Sequence, residues 1–182
     1  GGLHTIRCRV GPGVRLQKLE SQGIDVQFRG WNTGETTHIL ICPSSETVTY
    51  EINGVSQTQW IEQVRKDLAL YTDKPIVFRN KPRPGNKWWG KDIKDDLKNC
   101  HCLVTNMSLS AIDAILNQVP VICHKRNIAS FVSSRDLKFV NKPMKPGRKT
   151  INEWLKMVVE NQFTIGEIET GIAYKTFQGQ MV

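Results

Sequence analysis

Four short apolar runs set the strongest constraint on this chain: "THILIC" (37–42), "KPIVFRN" (74–80), "CHCLVTN" (100–106) and "VPVICH" (119–124). Each is rich in β-branched residues and bounded by turn signals, as a strand buried on both faces of a parallel sheet should be. Helical patterns lie between them. In "SQTQWIEQVRKDLALY" (56–71), Trp60, Ile61, Val64 and Leu68 recur at helical spacing, and Ser56 with Gln59 makes a capping box. "GKDIKDDLKN" (90–99) reads as a short polar helix and "SAIDAILNQ" (110–118) as another. Two C-terminal helices are expected, "TINEWLKMVVEN" (150–161) and "TIGEIETGIAYKTF" (164–177), opened by capping boxes Thr150–Glu153 and Thr164–Glu167.

Strand and helix in alternation predict an α/β fold: a Rossmann-like, doubly wound, mostly parallel sheet with helices on both faces and two C-terminal helices. The segment "PSSETVTYEINGVS" (43–56) reads as polar and turn-rich. Ahead of the first clear strand, "TIRCRV" (5–10) and "IDVQFR" (24–29) read as short β pieces. The expected division is therefore residues 1–37 as an N-terminal segment, the vestige of or truncation from a longer half, and 38–182 as the Rossmann-like domain. The 182 residues suffice for one sizeable core. No run reaches the roughly 18–20 apolar residues of a membrane span, and the start has no signal-peptide core, so a cytoplasmic protein is expected.

In doubly wound sheets, ligands bind outside the carboxyl ends of the strands. The first end presents Ser44 and Ser45. The second presents Arg79, Lys81 and Arg83, stiffened by Pro82 and Pro84. The third presents Thr105, Asn106, Ser108 and Ser110 just before a helix, with Asp113 one turn inside it. The fourth presents His124, Lys125 and Arg126. Helix amides, hydroxyls and cations suit a diphosphate, and a carboxylate suits a ribose diol. The group reads as a nucleotide-diphosphate pocket, in keeping with a net charge of +8. Plainer uses exist: Ser108 and Asn106 as helix caps, Arg79 and Lys81 as solvated loop charges. Trp88 and Trp89, flanked by Lys87 and Lys91, suit stacking on a base or sugar ring and suit anchoring a loop equally well.

Other chemistries fit poorly. Cys100, His101, Cys102, Cys123 and His124 suggest zinc, yet neighbours in a strand point to opposite faces and "CHC" lacks the C-x-x-C loop, so no metal is expected. Five cysteines leave an odd thiol, and three lie in or beside apolar runs, as reduced, buried cysteines do. Cys123 beside His124 is the sole candidate thiol nucleophile. The chain has no G-x-S-x-G elbow, no G-x-G-x-x-G and no P-loop.

The blocks "HILICPSSE", "WIEQVRKDLALYTDKPIVFRNKP", "DDLKNCHCLVTNMSLSAIDAILNQVPVICH" and "FTIGEIETGIAY", in that order, resemble a group of glycosyltransferase-like proteins, many of them phage-encoded. More distantly they resemble the C-terminal half of GT-B glycosyltransferases, over roughly residues 38–176. The segment "VTNMSLSAIDAILNQVPVI" is similar to the GT-B pattern of Ser, an acidic residue three on, Ala, then Gly-x-Pro. This chain has Asp113 where Glu is usual and Gln118 where Gly is usual. The resemblance implies a nucleotide-sugar donor as substrate and no cofactor. It places Ser108 and Ser110 near phosphate, Asp113 near ribose, and Arg79 and Lys81 as further phosphate contacts; position at the strand ends, independently of the resemblance, adds His124, Thr105 and Asn106 to the expected donor set. Ser44, Ser45, Arg83, Trp88, Trp89, Lys125 and Arg126 remain as acceptor or anion contacts.

The expected function is hexosyl transfer from a nucleotide sugar to a polysaccharide or a modified DNA base, with no residue assigned as catalytic base. GT-B catalysis uses two Rossmann-like halves, so a second copy or a separate N-terminal-half partner is expected as well. The alternative is a non-catalytic nucleotide- or nucleic-acid-binding protein on the same scaffold.

Overall fold

The computed structural model describes residues 13–180. Strands β1 (His38–Ile41), β2 (Ile76–Phe78), β3 (Cys100–Thr105) and β4 (Val121–Cys123) form an all-parallel sheet in the order β2-β1-β3-β4. Ile39 lies opposite Ile76 on one side and Cys102 on the other, and Val104 opposite Ile122. The fold is thus α/β and Rossmann-like. Every residue of β4, and every residue of β3 but His101, is buried, as continuous apolar runs require when both faces are covered. β2 is an edge strand, and its Val77 is partly open.

Helices α2 (Glu46–Asn53) and α3 (Gln57–Ala69) connect β1 to β2, α4 (Ile93–Leu97) connects β2 to β3, and α5 (Ser110–Leu116) connects β3 to β4. Alternate residues of the strands supply one core: Ile39, Ile41, Cys102, Val104 and Ile122 pack with Val64 and Leu68 of α3 and with Val140. Fully burying one such aliphatic side chain stabilises the fold by about 1.5–3 kcal/mol. The intervening positions, Leu40 and Leu103, are also wholly buried and point to the other face, where α4 and α5 meet β3.

Contacts divide the described residues into two units, Phe28–Ile151 and a second made of 13–27 with 152–180. The sheet unit thus begins before the expected boundary at 38. Phe28 is buried against the edge of Trp31 (ring centroids 4.7 Å apart), and Trp31 Nε1 donates to the Pro146 carbonyl at 2.8 Å. These contacts stitch the approach to β1 into the sheet unit.

The second unit contains α1 (Val14–Ser21), most of α6 (Arg148–Glu160), α7 (Ile165–Glu169) and α8 (Ile172–Gln180). Gly13 precedes α1 and has no side chain to cap it. Glu160 does so instead, its Oε1 accepting from the amides of Arg15 (3.0 Å) and Leu16 (3.2 Å). Arg15 pairs with Glu167 at 2.7 Å, and its guanidinium lies over the Phe163 ring.

The four expected strands of the sheet, the helix at 56–71 and its Ser56–Gln59 box are present, and so is the Thr164–Glu167 box. Five readings change. Residues 46–53 are helical, because Ser45 serves as N-cap to α2 and Gly54, at φ 72°, as its C-cap. Those residue types make turns and caps alike, which is why the segment read as loop. Residues 24–29 form no strand, and residues 14–21, where no element was expected, form α1. Thr150 lies inside α6, which starts at Arg148 after Pro146-Gly147, so Thr150–Glu153 is not a capping box. The last expected helix is two, broken at Gly171 (φ 74°). "TIRCRV" and Cys8 lie outside the described residues. Among those residues, no helix is long and apolar enough to cross a membrane.

Hydrogen bonds from Arg15 and Thr164 hold the Glu167 carboxyl down at about 2, against an ordinary value of 4.5. A folded-state value below the unfolded one gives stability that is present above pH 4.5 and lost as pH falls toward 2. Carbon-13 NMR titration of Glu167 should show this low midpoint, and Arg15→Gln should move it up toward the ordinary range.

Candidate functional site

Because β2 flanks β1 on one side and β3 on the other, the chain leaves β1 and β3 in opposite directions, and a crevice opens at their carboxyl ends. A cavity of about 580 Å³ lies there. Its β1 wall is Cys42 to Ser45, followed by Val48 of α2. Its β2 wall is Arg79 to Pro82, and its β3 wall is Met107 to Ser110 with Asp113 beyond. Lys91, Asp92 and Ile93 close the remaining side.

Asn106, 2% exposed, holds the β1 and β3 walls together. Its Oδ1 accepts from the amides of Ser44 and Met107, both at 2.9 Å. Its Nδ2 donates to Thr49 Oγ1 and Asn53 Oδ1, both at 3.2 Å. Ser44 Oγ accepts a second bond from the Met107 amide at 3.0 Å. Thr105 Oγ1 accepts from the Ser108 amide, and buried Asn127 donates to the carbonyls of Asn106 and Ser108. Thr105 and Asn106 were expected to touch ligand. They instead lie behind the wall and set its shape.

Arg79 is likewise committed. Its side chain is 4% exposed, and it pairs with Asp96 and donates to the carbonyls of Lys91 (2.6 Å) and Asp92 (3.4 Å). It lines the cavity while its charge is met within the protein, so it secures the loop and α4 more than it offers a free cation. Among the described residues that line the cavity, Lys81 and Lys91 are the cations without an ion-pair partner, and Asp92 and Asp113 are its carboxylates. Asp92 also caps α4, accepting from the Lys94 amide at 3.0 Å.

Ser108 and Ser110 both line the cavity, with Ser110 Oγ donating to Ser108 Oγ at 2.9 Å. Leu109, not Ser108, takes the residue position just before α5, but Ser108 Oγ still accepts from the Ser110 amide at 3.3 Å. Asp113 stands at the rim. Partial burial, and secondarily the nearby Asp92, raise its carboxyl above the ordinary range, against the pull of Lys94 and Arg79. Its carboxylate accepts no hydrogen bond from the described residues, which leaves it open to a ligand donor.

The fourth strand end does not join this group. His124, Lys125 and Arg126 line no part of the cavity; the His124 Nδ1 accepts from the Arg126 amide at 3.2 Å. Burial and the two adjacent cations lower the His124 pKa. Three acceptor candidates also fall outside. Arg83 is exposed in the loop, Trp88 packs edge-on against Phe78, and Trp89 is 60% exposed. Sequence reasoning placed Lys91 only beside the tryptophans, missed Asp92, whose signal was the N-cap pattern "DIKDD", and missed Asn127, whose sequence context signals nothing.

The four described cysteines are buried free thiols. Cys42 forms part of the wall, and burial pushes its thiol up to about 12, partly offset by the neighbouring Ser110 hydroxyl and by Arg79. Burial lifts Cys123 to about 11, which removes the thiolate a nucleophile needs at neutral pH. Among the described residues, no group of three or more His, Cys, Asp or Glu side chains is placed to hold a metal ion. Comparison with family models, with curated proteins and with solved structures gives no match.

Removing the Asn106 side chain leaves the Ser44 amide without a partner at the centre of this network. Asn106→Ala should lower unfolding free energy by about 2–4 kcal/mol in urea titration, well above a surface substitution.

Proposed function

We propose that the domain binds a nucleotide-diphosphate sugar in this crevice and transfers its hexosyl group to an acceptor, in the manner of the C-terminal half of GT-B glycosyltransferases. The observation that carries the reading is the convergence at the sheet's switch point of two lysines, a hydroxyl pair and a rim carboxylate. A diphosphate matches Lys81, Lys91 and the hydroxyls of Ser108 and Ser110, and a ribose diol matches Asp113. The cavity volume is within the range of nucleotide-sized ligands. A second support comes from Gln118, at φ 65°, in the left-handed region that favours glycine. The GT-B pattern has Gly at this position, and Gln118 adopts a conformation of the kind glycine takes without strain.

In the reaction, an acceptor hydroxyl attacks the anomeric carbon. The bond from that carbon to the diphosphate oxygen breaks, its electron pair leaves with the nucleoside diphosphate, and the hydroxyl proton passes to a base or to water. The part assigned to this chain is electrostatic: Lys81, Lys91 and the Ser108–Ser110 hydroxyls meet the negative charge that grows on the leaving oxygen. Arg79 keeps the wall that carries Lys81 and Lys91 in place.

Calorimetry or ligand-observed NMR with UDP-, GDP-, ADP- and dTDP-sugars tests the reading. One of them should bind at about 1 mM or tighter, and Lys81→Met should weaken it roughly tenfold. No saturation by any of the four, with far-UV circular dichroism reporting a folded chain, overturns it. Saturation with sugar release supports transfer, and saturation without turnover supports the non-catalytic alternative.

The ionised form of Asp113 is the better acceptor for ribose hydroxyls. Affinity should therefore fall as pH drops through a midpoint above 3.8, since its pKa is raised. Asp113→Asn should remove that pH dependence, as followed by calorimetry across the acid range.

A further inference from the structure

The loop joining β2 to α4, residues 80–91, carries a surface that the nucleotide cavity does not account for. Its sequence "NKPRPGNKWWGK" contains Lys81, Arg83, Lys87 and Lys91 and no acidic residue. The loop is internally braced. Asn86 Oδ1 accepts from the amides of Arg83 (3.3 Å) and Trp88 (3.1 Å), and its Nδ2 donates to the Lys81 carbonyl at 3.0 Å. Backbone bonds from Asn86 to Arg83, Trp89 to Asn86 and Lys91 to Trp88, each 3.1 Å, close successive turns. At the neck, Arg79 donates to the carbonyls of Lys91 and Asp92 and pairs with Asp96.

The two tryptophans have different surroundings. Trp88 is half-buried, edge-on to Phe78 at 5.8 Å, with Lys87 Nζ 4.6 Å from its ring centre. It is the anchor. Trp89 is left 60% exposed, on a loop whose sequence carries four cations. A braced loop that keeps a large indole in water beside uncompensated positive charge fits a ligand bringing flat rings and negative charge together.

That combination separates the candidates. A neutral glycan would use the indole but not the cations. An acidic peptide would use the cations but has no regular flat rings, and a duplex keeps its bases stacked inside. A single strand offers unstacked bases spaced between phosphates. We propose that residues 80–91 bind single-stranded nucleic acid, with a base stacked on Trp89 and phosphates met by Lys81, Arg83, Lys87 and Lys91. The second basic segment, 138–149, lies elsewhere: Asn141 donates to the Tyr71 carbonyl ahead of β2, and the Val140 carbonyl bonds His101 near the start of β3. The nucleic acid therefore runs past the carboxyl end of the sheet, beside the cavity that Lys81 and Lys91 also line.

Fluorescence anisotropy with a labelled oligo(dT) of about 15 nucleotides tests this on the full chain. Binding should saturate, with a log–log salt slope of about −2 to −3 from four cations on a single strand. Trp89→Ala should weaken it about 5- to 100-fold, whereas Trp89→Phe should keep most of the affinity. Arg83→Glu combined with Lys87→Glu should abolish it. Arg83, Lys87 and Trp89 do not line the cavity, so these variants should bind nucleotide sugars as before, which separates failure here from failure of the donor-site reading. Unchanged circular dichroism shows that each variant is folded. Lack of saturable binding overturns the proposal, as does full affinity in Trp89→Ala. Competition by heparin or by a duplex of equal length that matches oligo(dT) overturns it too, because charge alone would then explain binding.

Discussion

Strand β1 takes parallel partners along both edges, β2 on one side and β3 on the other, and the position of everything functional follows from that pairing. A parallel pair cannot be closed by a tight turn, so each connection must cross the sheet through a helix. When successive strands are laid on opposite sides of a central one, their outgoing connections part at its carboxyl end. The gap between them is bounded by main chain on three sides and carries the first residues of each connection. Here those are Ser44 and Ser45, then Lys81, then Ser108 and Ser110. Pairing of apolar strands, driven by burial of Ile39, Leu40 and Ile41, thereby determines where polar side chains meet.

Two buried polar residues convert this gap into a shaped cavity. Asn106 satisfies amides at the ends of β1 and β3 and also reaches into α2, so the relative height of the two walls is set by one side chain. Arg79 does the corresponding work on the β2 side, tying the returning loop and α4 to the strand end. A buried guanidinium or carboxamide is costly unless each of its groups finds a partner. Arg79 meets that condition through two backbone carbonyls and Asp96, and Asn106 through two backbone amides and the side chains of Thr49 and Asn53, which ties their stability to the loop geometry. The side chains left for a ligand are the ones with fewer internal partners, namely Lys81, Lys91 and Asp113.

The same neck that completes the cavity also braces the loop of residues 80–91. Nucleotide and polyanion surfaces would then share one scaffold, with Lys81 and Lys91 facing both. A cationic loop at the rim of a donor pocket would bring an anionic acceptor within reach of the anomeric carbon. It would do so without any rearrangement of the sheet, since the loop is held by its own hydrogen bonds.

Sequence alone determined the four strands, the intervening helix α3 with its Ser56–Gln59 box, and the parallel α/β class, because these rest on period, burial and capping chemistry within a few residues. It also pointed to the strand ends as the polar mouth of the fold. It did not distinguish α2 from a loop, since Ser45 and Gly54 serve turns and helix caps equally, and it gave no sign that Thr150 lies inside α6. The roles of the polar residues were decided only in three dimensions. Arg79 and Asn106 have the residue types of ligand contacts, yet their partners Asp96, Lys91, Thr49 and Asn53 are placed by the crossovers and turn them inward. Likewise strand order leaves His124, Lys125 and Arg126 out of the cavity, because β4 lies one strand beyond the switch point. Local pattern fixes what each segment becomes; which side chains share a cavity depends on strand order, a property of long-range pairing that no single segment carries.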